Sequence, residues 1–156
     1  MVRTVAQKMG VRPGCRAHLL GAPAESVAAL ELPKLELVNE LDGPFDYLHL
    51  FVVTQAGMRR DFPTLREHLR PGGMLWVSWP KGGRHGTDLT MRSVIAIGYD
   101  LGMVESVCLR VDDKWAGLKF THPKPGKTYH NSFGTLRVDE REIGLRRPVP
   151  GDVPHS

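Results

Sequence analysis

The sequence predicts one α/β domain, with a mostly parallel sheet of about six strands that ends in an antiparallel hairpin. Three observations carry that expectation. Short apolar runs alternate with helical segments from residue 16 onward, the order that right-handed crossovers turn into parallel neighbours. The run Asp46-Tyr-Leu-His-Leu-Phe-Val-Val53 is almost continuously apolar, as a strand buried on both faces must be. Finally, the runs at 105–111 and 115–121 are separated only by Asp112-Asp113-Lys114, a spacing that closes them into a hairpin.

The elements follow in order. Residues 16–20 read as a strand that stops at Gly21-Ala-Pro23, and residues 24–30 as a helix. A second strand at 35–38 is bounded by Pro33 and Asn39. The buried run at 46–53 is the third, followed by a helix at 57–69 that Pro71-Gly-Gly73 stops. Residues 74–79, rich in aromatic and β-branched side chains, form the fourth. After a loop at 80–86 comes a helix at 88–101, with Asp88 as N-cap, an apolar stripe of Val94, Ile97 and Leu101, and Gly102 closing it. From His122 onward Pro and Gly are dense. The expected organisation is therefore a domain at 1–121 and a C-terminal extension at 122–156, with one short strand near 135–138. Leu136, Val138, Ile143 and Leu145 are the extension's candidates for packing on the core or on a second subunit.

Composition narrows the function classes. Of 156 residues, 41% are hydrophobic and 24% charged, a globular balance rather than a disordered one. No apolar run approaches the roughly 20 residues needed to cross a bilayer, and MVRTVAQKMG at the start lacks the apolar centre of a secretory signal. Cys15 and Cys108, both in expected strands, read as buried structural thiols, and a cytoplasmic location follows. The net charge is +4, yet no aromatic ladder interleaves the scattered basic residues of 122–156, so nucleic acid is not the expected partner. A small molecule or a protein is, and a homo-oligomer is compatible with the sequence. No metal is expected: His122 and His130 have no Cys or carboxylate at ligand spacing. Gly126-Lys-Thr128 lacks both the earlier glycine and the following helix of a phosphate-binding loop.

A parallel sheet ending in one antiparallel hairpin resembles the class I S-adenosylmethionine-dependent methyltransferases, a Rossmann-like fold. Local motifs add to the likeness: Gly10-Val-Arg-Pro-Gly14 before the first strand, Phe45-Asp46 opening the third, and Leu69-Arg-Pro-Gly-Gly-Met-Leu75 before the fourth. Together they span residues 10–121. Val77-Ser-Trp-Pro-Lys81, Thr87-Asp-Leu-Thr90 and Trp115-Ala-Gly-Leu-Lys-Phe120 also resemble a group of small bacterial proteins that share a domain of unknown function.

The resemblance implies a shortened sheet, because residues 39–45 leave room only for a loop where that family has its second helix, third strand and third helix. It also implies where the cofactor loop would be. The family's acidic position falls on Leu19, its first glycine on Gly21, its second on Pro23 and its third on Glu25. Proline removes an N–H donor and Glu25 sets a charge where the cofactor carboxylate would lie. The ribose-binding acid would be Glu40.

The expected function is accordingly a non-catalytic small-ligand or protein-interaction module on a degenerate methyltransferase fold, its ligand not specified by the sequence. Two alternatives stay open: a divergent methyltransferase that still binds S-adenosylmethionine, and a nucleotide or anion binder using the loop at 81–86. Open α/β sheets bind ligands outside the carboxyl ends of their strands. The candidate binding residues at that edge are Gly21, Glu40, Thr54, Gln55, Ser78, Trp79, Lys81 and Arg84. Lys81 would orient an anion and Trp79 would stack on a planar group, with the ligand between the Gly21 loop and residues 79–81 and Gln55 between them. No catalytic residue is assigned. Ser78 lacks the G-x-S-x-G surroundings of a hydrolase nucleophile.

Overall fold

In chain order the elements are α1 (Val5–Met9), β1 (Arg16–Leu20), α2 (Ala24–Leu30), β2 (Glu36–Leu37), β3 (Phe45–Phe51), α3 (Gln55–Glu67), β4 (Leu69–Pro80), α4 (Met91–Asp100), β5 (Val104–Arg110) and β6 (Trp115–Thr121). The computed structural model describes residues 3–124, 128–131 and 134–137. The six strands form one sheet in the order β2-β1-β3-β4-β6-β5. β2, β1, β3 and β4 pair in parallel, and β6 runs antiparallel to both of its neighbours. The expected architecture is present, including the single reversed strand and the missing unit between β2 and β3.

Strand alternation divides the core into two faces. Leu48 and Leu50 of β3, Leu75, Val77 and Trp79 of β4, and Leu118 and Phe120 of β6 pack under α3 and α4 in the larger cluster. Tyr47 of β3, Trp76 of β4 and Ala17 of β1 pack in the smaller cluster, under Ala6 and Met9 of α1 and Leu30 of α2. At the amino edge Asp46 ties three strands together. Its carboxylate accepts from the Arg16 amide at 2.9 Å and from Arg70 at 2.7 Å.

Several local expectations change. α1 was not foreseen from the sequence; a capping box between Thr4 and Gln7 starts it. β4 begins at Leu69, earlier than expected. Phe45 faces Leu69 and Tyr47 faces Met74, so the residues between Leu69 and Met74 bulge from the ladder, with Gly72 at φ +83. The last helix starts at Met91, and its N-cap is Thr90 rather than Asp88. Thr90 and Ser93 cap each other: the Thr90 hydroxyl accepts from the Ser93 amide at 3.1 Å and the Ser93 hydroxyl from the Thr90 amide at 2.9 Å. Neither cysteine is buried: Cys15 is half-buried and Cys108 is exposed. Beyond residue 121, β7 (Thr128–Asn131) and β8 (Gly134–Arg137) pair as a separate two-stranded sheet where one strand was expected. Gly126, Lys127, Val138, Ile143 and Leu145 lie outside the described residues. Among the described residues no helix is long and apolar enough to cross a membrane.

Candidate functional site

The carboxyl ends of β1, β3 and β4 open onto the loops that carry the candidate residues, and the structure gives most of these a local task. Gly21 sits at φ +76, and a Cβ there would lie 2.7 Å from the Phe51 carbonyl oxygen. Close passage of β3 therefore explains the glycine without a ligand. Thr54 is the N-cap of α3 and accepts from the Gly57 amide at 2.9 Å. Gln55 and Asp88 hold each other: the Asp88 carboxylate accepts from the Gln55 amide and the Asp88 carbonyl from the Gln55 side chain, both at 2.8 Å. Asp88 thus satisfies an orphan amide of α3, not of α4. Thr87 extends this clamp by donating to the Val53 carbonyl. Glu40 is exposed in the loop after β2, the outer strand. Three strand spacings, roughly 14 Å, separate that strand from β4. Arg84 is exposed and donates to the Asp113 carbonyl at 3.4 Å.

On the α2 side of this edge the protein closes upon itself. Ser26 is buried and donates to the Asp112 carboxylate at 2.9 Å. The other Asp112 oxygen accepts from the amides of Lys114 and Trp115, which fixes the β5–β6 turn. Glu25 lies 4.0 Å from the Lys114 amine across the same gap. The first turn of α2, where the resemblance puts the cofactor loop, is therefore pinned to the hairpin turn.

Ser78 belongs to a buried polar chain that the sequence did not reveal. His49 Nδ1 is 2.7 Å from the Tyr47 hydroxyl, and His49 Nε2 is 2.7 Å from Ser78 Oγ. All three side chains are fully buried. A neutral imidazole donates through one nitrogen and accepts through the other, so the chain satisfies each member. Burial lowers the His49 pKa from 6.5 to about 3 and raises that of Tyr47. A serine beside a histidine has the parts of a nucleophile and base, but here Gly117 packs over Ser78 Oγ and the pair has no solvent face. Its task is to lock β3 against β4. The signal in the sequence was alternation: Tyr47, His49 and Phe51 share one face of a run that reads as uniformly apolar.

The structure brings Trp79 and Lys81 together in an open cleft of about 420 Å³ on the α4 side of the edge. Leu89 lines it from just before α4, Met91 from the first position of that helix, and Cys108 and Ala116 from β5 and β6. The glycines at 82 and 83 form part of its rim, both at positive φ within the turns of Lys81–Gly86. Lys81 is anchored by its amide, which donates to the Lys114 carbonyl at 2.9 Å. Gly21 and Gln55 do not line this cleft. Sequence reasoning missed Leu89, Met91, Cys108 and Ala116. Among the described residues, no group of three or more His, Cys, Asp or Glu side chains could hold a metal ion.

Solved structures share this architecture. The magnesium protoporphyrin IX methyltransferase of Synechocystis PCC 6803, with bound SAH, is 13% identical; the match covers 75% of this chain and 78% of that one, with a TM-score of 0.51. A TehB-like SAM-dependent methyltransferase from Corynebacterium glutamicum is 8% identical over 76% of this chain and 85% of that one, with a TM-score of 0.51. The ribosomal protein L11 methylase of Lactobacillus delbrueckii subsp. bulgaricus is 15% identical over 76% and 75%, with a TM-score of 0.50. The fold is that of the class I methyltransferases. At these identities the likeness establishes the fold alone. No protein-family model and no curated protein matches the chain, so the resemblance to small bacterial proteins of unknown function finds no support there.

Proposed function

We propose that the domain binds a small molecule in the cleft beside Trp79 and Lys81, on a methyltransferase fold whose usual cofactor loop has been lost. The observation that carries this reading is the cleft itself. It lies at the carboxyl edge, where open sheets bind ligands, and its volume falls within the roughly 300–1,000 Å³ of small-molecule sites. Apolar side chains line most of it, which suits a ligand held chiefly by desolvation.

The second reading is a divergent S-adenosylmethionine-dependent methyltransferase. The shared fold supports it at least as well as it supports a non-catalytic module, since the three similar structures are all methyltransferases. The residues of the Gly21 loop do not fit that cofactor in the family's manner. Leu19 offers no carboxylate, Pro23 no amide, and Glu25 opposes a carboxylate ligand. A methyltransferase here would need another binding mode.

Calorimetric titration with S-adenosylmethionine and S-adenosylhomocysteine separates the two. The expected result is no dissociation constant in the low micromolar range for either. Low-micromolar binding would establish cofactor recognition and favour the methyltransferase. For the small-molecule reading, a thermal-shift screen of nucleotides, sugar phosphates and organic acids is the direct test. A ligand at 100 times its dissociation constant adds about 2.7 kcal/mol of stability.

A further inference from the structure

Resting on the proposed cleft, we infer that its occupant is an amphipathic organic anion, with an apolar body against Leu89, Met91 and Ala116 and a carboxylate, phosphate or sulfonate at Lys81. The lining decides the body. Leu89 and Trp79 are buried in the lining, while Met91, which also lines the cleft, is 48% exposed. Such an exposed apolar surface beside a cavity is stabilised when a ligand covers it.

The charge decides the head group. Among the described residues Lys81 is the one lysine or arginine lining the cleft, and neither aspartate nor glutamate lines it. Among the described residues no carboxylate forms an ion pair with the Lys81 amine. The acid nearest in sequence to the cleft is Asp88, between Thr87 and Leu89, and its carboxylate is held by the first amide of α3. Asp88 is therefore not the cap of α4, and it does not line the cleft. The Lys81 backbone is fixed by its amide, which donates to the Lys114 carbonyl, and the residue lines the cleft. A lysine at such a rim can lay its apolar stem along the wall and turn its charged head to an anion.

Cys108 supplies the test, because its thiol lines the cleft whereas Cys15 does not. The native chain is treated with a neutral maleimide in the presence of octanoate, octanol or octylammonium at equal concentration. Labelling of each cysteine is read by peptide mass spectrometry, with Cys15 as internal control. Octanoate is expected to slow labelling at Cys108 selectively, at lower concentration than octanol, and octylammonium least of all. Lys81→Gln should weaken octanoate by roughly two- to fivefold, the size of a solvent-facing charge pair, and leave octanol unchanged. Equal protection by octanoate and octanol, or octanoate binding indifferent to Lys81→Gln, overturns the inference about charge and leaves the cleft reading standing. If no probe alters Cys108 labelling, the cleft reading itself fails.

Discussion

Mild acid is expected to destabilise the domain strongly, because His49 is buried in a form that cannot take up a proton. Its folded pKa of about 3 lies below the 6.5 of an unfolded histidine. Between those values the unfolded chain binds a proton that the folded chain refuses. Stability is therefore complete above about pH 6.5 and declines as pH falls, by about 1.4 kcal/mol per unit. At about pH 4.5 the loss is roughly 3 kcal/mol, a large share of the ~5–15 kcal/mol typical of a domain. Among the described residues no carboxylate hydrogen-bonds or pairs with His49; its hydrogen-bond and ring partners are Tyr47, Ser78, Phe51 and Trp76. His122 acts in the same direction. Burial and Arg66 lower its pKa, outweighing the bond to the Leu69 carbonyl that raises it. Urea midpoints at neutral pH and at pH 4.5 measure the effect. An imidazole resonance of His49 that titrates near 6.5 in the folded protein would contradict it.

Replacing Gly98 is expected to cost more than any other small-residue change in the helices. Gly98 lies within α4, where alanine ordinarily gains about 1 kcal/mol over glycine. Here the added Cβ would fall 2.0 Å from Cε1 and 2.4 Å from Cζ of Phe120. That ring is fully buried and meets Phe62 edge-on at 5.3 Å, so it has no free space to swing into. Overpacking of this kind costs about 1–3 kcal/mol, and the clash here lies at the severe end. Gly98→Ala should therefore destabilise by roughly 1–2 kcal/mol net, and Gly98→Val by more. Phe120→Leu in the same chain should recover part of the loss, since the two sites share one contact. A Gly98→Ala protein more stable than the parent would show that helix propensity alone governs the position.

The sheet was legible because its strands announce themselves locally. β1 and β6 match their expected bounds, and the short interval at 39–45 already implied the missing strand. The site was less legible because its geometry is non-local. Asp88 is a good cap by type, but it serves a helix that begins 33 residues earlier, a partnership that spacing cannot express. The capping pair that does start α4, Thr90 with Ser93, was readable in principle. The cleft draws on residues 79, 81–83, 89–91, 108 and 116, which only the β4–β6–β5 pairing brings together. Gly21 was expected at a ligand, and the structure shows a local reason for the glycine in the Phe51 backbone.

The central claim is that ligands enter beside Trp79 and Lys81 and not at the Gly21 loop. A backbone amide chemical-shift map of the full chain, titrated with octanoate and separately with S-adenosylhomocysteine, tests it most directly. Octanoate is expected to shift Lys81, Leu89, Met91, Cys108 and Ala116 while Gly21, Ala22 and Glu40 stay still, and S-adenosylhomocysteine to shift neither set at micromolar concentration. Shifts centred on Gly21 and Glu40 with either compound would contradict it.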